Sequence, residues 1–260
     1  MTRPHSTGST STQLWLVHRK PNPQVRLRLF CFPYSGGSAL IFRDWAENLP
    51  DSVEVCPVQL PGRGLRTREA AFTSLPPLVQ AVDRALLPYM DKPFAFFGHS
   101  MGAAISFELA RQQRRAHGML PLQLFVSARR APQVPALRAP AYNLPDREFI
   151  EELRRLNGMA EMLEQPELMK FLLPIIRADF SVAQTYVFTP EPPLSCPISA
   201  FGGTHDEDVS GAHLEAWREQ TSSDFSLCMV PGDHFFINTH KALLLGVLHR
   251  QLLRLVESLA

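Results

Sequence analysis

The sequence predicts an α/β protein in which a mostly parallel sheet is flanked by helices. Short apolar runs with strand-like character alternate along the chain with longer segments of helical spacing. With 260 residues, of which 45% are hydrophobic and 20% charged, the chain can bury one large core. In a sheet of this kind, reactive groups gather at the carboxyl ends of the strands.

Each element follows from its own pattern. The predicted strands span residues 25–32, 53–58, 94–97, 122–127, 198–202 and 225–230. The predicted helices span residues 39–49, 75–87, 103–111, 214–220 and 241–259. In the last of these, Leu244, Leu248 and Leu252 recur at four-residue spacing, which places them on one helix face.

One region departs from the alternation and is predicted to be entirely helical. A first helix begins near Asp146, and a second spans 166–176, bends at Pro174 and continues to 186. This insertion, residues 141–190, would lie over the strand ends, and we predict that it forms a lid. Its apolar side chains either face an acyl chain or, as we favour for any single one of them, pack the lid on the core. They are Met159, Met162, Leu163, Met169, Phe171 and Leu172.

Composition restricts the remaining possibilities. A formal net charge of +1 does not favour nucleic acid or an anionic membrane as a partner. The apolar run 14–17 is too short for a signal peptide or a membrane span, so we expect a cytoplasmic protein with a flexible tail over 1–24 and a single domain over 25–260. The four cysteines lack metal-ligand spacing, which predicts free thiols and no metal site.

The chemistry is predicted to centre on Ser100. A buried-looking strand runs into Gly98-His99-Ser100-Met101-Gly102, and helix-forming residues follow at once. A strand, a sharp turn and a helix form the context in which Gly-x-Ser-x-Gly holds an exposed nucleophilic serine. The helix N-terminus also offers unpaired N–H groups to a developing oxyanion. An idle serine in a glycine-rich turn is the alternative that this context disfavours.

A nucleophilic serine needs a base, and the base needs an acid to orient it. His234 lies on a loop between the last strand and the last helix, where a nucleophile-elbow hydrolase places its base. The acid should follow the penultimate strand, where the loop offers Asp206 and Asp208. We choose Asp206, because the loop first turns there, and keep Asp208 as the second choice.

Two backbone N–H groups should form the oxyanion hole. One belongs to Met101, the residue after the nucleophile, and the other to the loop after the first strand. That loop contains Gly36 and Gly37, which permit a tight backbone. The second donor is predicted to be Tyr34, with Ser35 as the alternative.

Taken together, these segments resemble the type II thioesterases, free-standing enzymes of the α/β-hydrolase superfamily that accompany polyketide synthases and nonribosomal peptide synthetases. Phe32-Pro33-Tyr34-Ser35-Gly36-Gly37 resembles the family's Phe-Pro-Tyr-Ala-Gly-Gly, and residues 59–66 resemble its Pro-Gly-Arg loop. Residues 98–102 resemble its Gly-His-Ser-Met-Gly, and residues 173–180 its lid signature. The acid segment 203–206 and the base segment 232–236 follow in the family's order, whereas residues 157–160 depart from its usual stretch.

The resemblance implies an α/β-hydrolase fold and hydrolysis of acyl thioesters on the phosphopantetheine arm of an acyl or peptidyl carrier protein. It implies no cofactor, and we expect a monomer. Carrier proteins are usually acidic, so a basic rim at the strand ends would assist docking. The candidates are Arg63, Arg66, Arg68, Arg129 and Arg130, and for each of them an internal ion pair or a solvated loop charge is an equal alternative.

Three other functions remain open at this point. An esterase or lipase for free oxyesters would use the same triad, and an acyltransferase would pass the acyl group to an alcohol or amine. A non-catalytic interaction protein is disfavoured, because all three triad positions carry competent residues.

Overall fold

The computed structural model describes residues 14–20, 22–156 and 165–259. Within them lies one six-stranded sheet in which neighbouring strands pair in parallel, in the order β2-β1-β3-β4-β5-β6. The strands are β1 (Leu27–Phe32), β2 (Val53–Pro57), β3 (Phe94–His99), β4 (Leu124–Ser127), β5 (Ile198–Gly203) and β6 (Phe225–Val230). The predicted α/β fold with a mostly parallel sheet is therefore confirmed.

Helices cover both faces of the sheet. They are α1 (Leu75–Leu86), α2 (Met101–His117), α3 (Asp146–Arg155), α4 (Pro166–Gln184), α5 (Gly211–Glu215), α6 (Phe236–Thr239) and α7 (Lys241–Glu257). One apolar cluster joins α1 and α2 to the sheet, and a second joins α7 to the other face. Because β3 is buried along its whole length, it reads as a continuous apolar run rather than as an alternating pattern.

The helix predicted over 39–49 is wrong. Two short 3₁₀ turns, Ala39–Phe42 and Trp45–Glu47, replace it. Phe42 and Trp45 are both fully buried against Phe97, with the Trp45 and Phe97 ring centroids 4.8 Å apart. The two turns thus bury both aromatic rings, and this tertiary packing outweighs the local helical pattern.

The flexible tail predicted over 1–24 is wrong for Trp15 and Leu16, which are buried in the core. The Trp15 carbonyl accepts a hydrogen bond of 2.8 Å from the Gln59 N–H, and Leu16 bridges to Val58. The Arg66 guanidinium lies 3.9 Å from the centre of the Trp15 ring. Residues 1–13 of the predicted tail are outside the described residues.

The region between β4 and β5 contains α3 and α4, in agreement with the helical insertion that the sequence predicts. Five buried side chains form an apolar cluster between these helices: Phe149, Leu153, Met169, Ile176 and Phe180. Helix α4 is continuous from Pro166 to Gln184 with Pro174 inside it. The 141–190 lid and the single domain over 25–260 remain predictions.

All four cysteines are free thiols, as predicted. Across residues 14–20, 22–156 and 165–259, no helix is long and apolar enough to cross a membrane.

Candidate active site

Ser100 stands at a sharp turn between β3 and α2, with φ 54° and ψ −112°. A non-glycine residue in this region is strained, and close packing on both sides holds it there. A Cβ atom on Gly98 would lie 2.1 Å from the Gly102 carbonyl oxygen, and one on Gly102 would lie 2.1 Å from the Phe32 carbonyl oxygen. Only glycine at both positions allows β1, β3 and α2 to approach this closely.

The structure brings the three predicted triad residues together. His234 Nε2 lies 3.0 Å from Ser100 Oγ, and His234 Nδ1 lies 2.7 Å from Asp206 Oδ2. The other Asp206 oxygen accepts the N–H groups of Asp208 and Val209 at 2.9 and 3.0 Å. The Asp206 side chain is 1% exposed and that of His234 is 14% exposed. The arrangement suits a neutral imidazole that donates from Nδ1 and accepts the serine proton at Nε2.

Asp208, the second choice for the acid, has other partners. Its carboxylate pairs with Arg155 at 2.8 Å and with Arg138 at 3.0 Å. Burial acts to raise the pKa of Asp208, but the Arg155 hydrogen bond and charge outweigh it and hold this pKa below its usual value. Asp208 thus belongs to an ion-pair cluster beside the site.

His99 has a contact that sequence reasoning missed. Its Nε2 lies 2.9 Å from the His234 carbonyl oxygen, and its Nδ1 lies 2.9 Å from Ser127 Oγ. Burial, and then the nearby His234, hold the pKa of His99 well below its usual value. A neutral His99 that donates from Nε2 therefore fixes the backbone of the candidate base. Its place beside Ser100 in the motif was the available signal.

The predicted oxyanion donors lie at the same end of the sheet. Met101 is the first residue of α2, so its N–H has no partner within the helix. In the loop after β1, Tyr34 and Ser35 both line the cavity that contains Ser100. The Gly36 N–H is instead engaged by Asp179 at 2.7 Å. The choice between Tyr34 and Ser35 stays open.

A cavity of about 200 Å³ opens above Ser100 and His234. Leu153, Leu156 and Phe180 of the helical insertion line it, together with the segment 136–140. Sequence reasoning missed these residues, because either face of an amphipathic helix can supply core or cavity contacts.

The apolar side chains of the insertion, for each of which packing was favoured over contact with an acyl chain, have different environments. Met169 is buried in the cluster between α3 and α4, Leu172 packs against that cluster, and Phe171 is exposed. None of these three lines the cavity. Met159, Met162 and Leu163 lie outside the described residues.

The predicted basic rim needs correction. Arg63 and Arg66 are buried, and they pair with Asp179 and Glu69 at 2.5 and 2.6 Å. Arg68 is exposed. Arg129 and Arg130 are half-buried and line the cavity, where burial and Arg130 lower the pKa of Arg129 to about 10.

No group of three or more His, Cys, Asp or Glu residues in the described part of the chain is placed to hold a metal ion. The chemistry that these side chains offer is nucleophilic attack assisted by a general base.

A parallel α/β sheet with a serine on a strained strand-to-helix turn, and a histidine and an aspartate on later loops, is the arrangement of an α/β-hydrolase. Among such proteins, the thioesterase domain family matches residues 27–252. This chain belongs to that family.

Known relatives agree with this assignment. The gramicidin S biosynthesis protein GrsT of Aneurinibacillus migulanus is 49% identical over 92% of this chain and 93% of its own length. RedJ, a thioesterase from the prodiginine biosynthetic pathway of Streptomyces coelicolor, is 40% identical and superposes with a TM-score of 0.81 over 88% of this chain and 92% of its own. The type II thioesterase BorB from the borrelidin cluster is 36% identical with a TM-score of 0.84, over 91% of this chain and 97% of its own. The resemblance to type II thioesterases is thereby confirmed.

Proposed function

We propose that this protein is a type II thioesterase that hydrolyses acyl thioesters from the phosphopantetheine arm of carrier proteins in polyketide or nonribosomal peptide synthesis. It would remove aberrant acyl groups or release a product. The observation that carries the proposal is the hydrogen-bonded chain from Ser100 through His234 to Asp206 at a cavity. Relatives named for gramicidin S, prodiginine and borrelidin biosynthesis supply the substrate class.

Ser100 is the proposed nucleophile. As it attacks the thioester carbonyl, its proton passes to His234, and Asp206 stabilises the imidazolium that forms. The backbone N–H of Met101 and that of Tyr34 or Ser35 bind the oxyanion. The thiol leaves with the proton from His234. Water activated by the same histidine then hydrolyses the acyl-enzyme and restores the serine.

The surroundings fit an acyl group that enters from the carrier. Leu153, Leu156 and Phe180 provide apolar surface beside Ser100, which supports a lid over residues 141–190. The proposed partner is an acyl or peptidyl carrier protein, and the proposed location is the cytoplasm. We propose a monomer that works without a cofactor.

The test measures hydrolysis of acyl groups loaded on a carrier protein by mass spectrometry. Wild-type protein should unload acetyl and longer acyl groups, whereas Ser100→Ala should lower the rate by about a million-fold, to the background of the assay. Retention of every acyl group by both proteins, with cleavage of simple oxyesters by the wild type, would replace the thioesterase assignment by an esterase. Transfer of the acyl group to an added alcohol or amine would identify an acyltransferase.

A further inference from the structure

The loop after β1 contains a tight turn in which the Gly37 N–H donates to the Tyr34 carbonyl at 2.9 Å. Gly36, the third residue of this turn, has a φ of 78°. A positive φ at that position is typical of a type II turn, whose central peptide is rotated by about 180° relative to a type I turn. That peptide joins Ser35 to Gly36, directly beside the two candidate oxyanion donors. Contacts that anchor this peptide therefore help to fix the position of the loop segment that carries those N–H groups.

Asp179 holds this central peptide from the neighbouring helix α4. Its Oδ2 accepts the Gly36 N–H at 2.7 Å, and its side chain is 4% exposed. In a type I turn this N–H would point elsewhere, and a buried carboxylate would lose a hydrogen bond. Asp179 thus selects one of the two turn conformations.

Arg63 completes the contact from the opposite side. It donates to both Asp179 oxygens, at 2.5 and 2.6 Å, and also to the Gly37 carbonyl at 3.0 Å. Asp179 and Arg63 therefore engage an N–H and a C=O of adjacent turn residues. A bidentate pair of this kind has a fixed geometry, because the guanidinium fork matches the carboxylate.

From these contacts we propose that Asp179 and Arg63 are positioning residues that set the second oxyanion donor of the thioesterase. The proposal rests on the proposed function. It makes catalysis depend on the docking of α4, because the carboxylate that orients the turn belongs to a helix of the predicted lid. The pair acts through the backbone of Tyr34 and Ser35 and need not touch substrate.

Three variants separate an effect on the position of the turn from an effect on the stability of the fold. In Asp179→Asn one oxygen can still accept from Gly36 and from Arg63 Nη1, as Oδ2 does, but the amide nitrogen replaces the oxygen that accepts from Arg63 Nη2, so the bidentate pair is lost. The double variant Arg63→Met with Asp179→Leu replaces the pair by apolar side chains, which often preserves stability at a buried ion pair, yet it provides no acceptor for Gly36. Asp146→Asn is the matched control, because Asp146 at the start of α3 pairs at 2.6 Å with Arg177 of α4, the helix that carries Asp179, without contacting the turn.

The variants are compared on an acyl thioester of N-acetylcysteamine, which needs no carrier docking. We expect kcat to fall by about 10- to 1000-fold in the double variant, in the range seen when an oxyanion donor is lost, and by less in Asp179→Asn, with KM changed less than about threefold in both. Affinity for an acyl trifluoromethyl ketone, whose serine adduct carries an oxyanion, should fall in parallel. Asp146→Asn should match the wild type in both measurements.

Two results would overturn the proposal. One is a double variant that has the wild-type kcat once its thermal unfolding midpoint has been raised to that of the wild type by stabilising substitutions elsewhere. In that case the pair would serve only stability. The other is a raised KM with unchanged kcat and unchanged trifluoromethyl ketone affinity. A wild type that hydrolyses only oxyesters would instead contradict the proposed substrate class, and the same variants compared on that oxyester would still test the turn.

Discussion

At the scale of single residues, two carboxylates that are two positions apart have different environments. Asp206 contacts His234 and two backbone N–H groups, whereas Asp208 contacts Arg155 and Arg138. Both residues follow β5, so sequence reasoning could favour Asp206 but could not exclude Asp208. The direction in which each side chain points depends on α3 and on segment 136–140, which carry the two arginines.

This difference predicts unequal effects of the same substitution. Asp206→Asn should lower kcat by about 10⁴-fold, because the amide cannot hold His234 in the tautomer that accepts the serine proton. Asp208→Asn should lower kcat by less than about tenfold, because it weakens an ion-pair cluster that does not contact His234. Steady-state hydrolysis of one small acyl thioester by both variants measures this, and equal losses would contradict the assignment of the acid.

The residue scale also explains why His99 was missed as a functional candidate. The sequence shows that His99 precedes the nucleophile, but its Nε2 contacts the carbonyl of a residue 135 positions later. A contact of this separation depends on the packing of β3 against the loop before α6. The motif draws attention to His99, but no local pattern indicates its contact with the His234 backbone.

At the scale of elements, the turn from β3 to α2 is the best specified part of the molecule. Gly98 and Gly102 allow backbone contacts that no side chain could replace, and the Phe32 carbonyl that Gly102 faces lies at the end of β1. Both glycines can be recognised in the sequence, and the turn could therefore be predicted from it. Their contact with β1 became visible only in the structure.

The turn predicts a contrast between two glycine substitutions. Gly102→Ala should lower the free energy of unfolding by about 3 kcal/mol or more, because the new Cβ would overlap the β1 backbone. Gly118→Ala should cost about 1 kcal/mol, since Gly118 has a φ of 66° at the end of α2 but nothing within 4 Å of its Cβ position. Urea unfolding followed by circular dichroism measures the free energy of unfolding of both variants. Similar decreases in the two variants would show that a steric clash at Gly102 does not make this position special.

Other elements were harder to predict from local pattern. Residues 39–49 have a helical pattern but form two 3₁₀ turns, because Phe42 and Trp45 pack on Phe97 of β3. Tertiary contacts there override a local preference. Helix α4, by contrast, continues past Pro174 to Gln184, close to its predicted end at 186.

At the scale of the whole molecule, the surface around the cavity is where the proposed carrier protein would dock. Of the five arginines predicted for this role, Arg63 and Arg66 are buried in ion pairs, and Arg129 and Arg130 line the cavity. Arg68 lies on the same loop as Arg63 and Arg66, and it is exposed. It is therefore the arginine best suited to meet an acidic carrier.

Charge reversal at Arg68 should affect carriers selectively. Arg68→Glu should raise KM for an acyl-loaded carrier about threefold or more at low salt, and less at high salt, because surface charges are screened. KM for an N-acetylcysteamine thioester should not change. Arg254→Glu is the matched control, because Arg254 is exposed near the far end of the 17-residue helix α7, roughly 20 Å along the helix from its start beside the His234 loop. Equal effects of either variant on both substrates would contradict docking at Arg68.

The sequence by itself determined the fold class, the order of the strands and of most helices, and the nucleophile and base of the proposed triad, with Asp206 favoured over Asp208 as the acid. These features depend on local patterns: apolar periodicity, a glycine-flanked serine, and loops that follow strands in a fixed order. Only the tertiary structure decided which aspartate contacts His234, which arginines are neutralised, and that Asp179 holds the turn beside Ser100. Most of those contacts join residues far apart in the chain, and their geometry depends on how the elements pack.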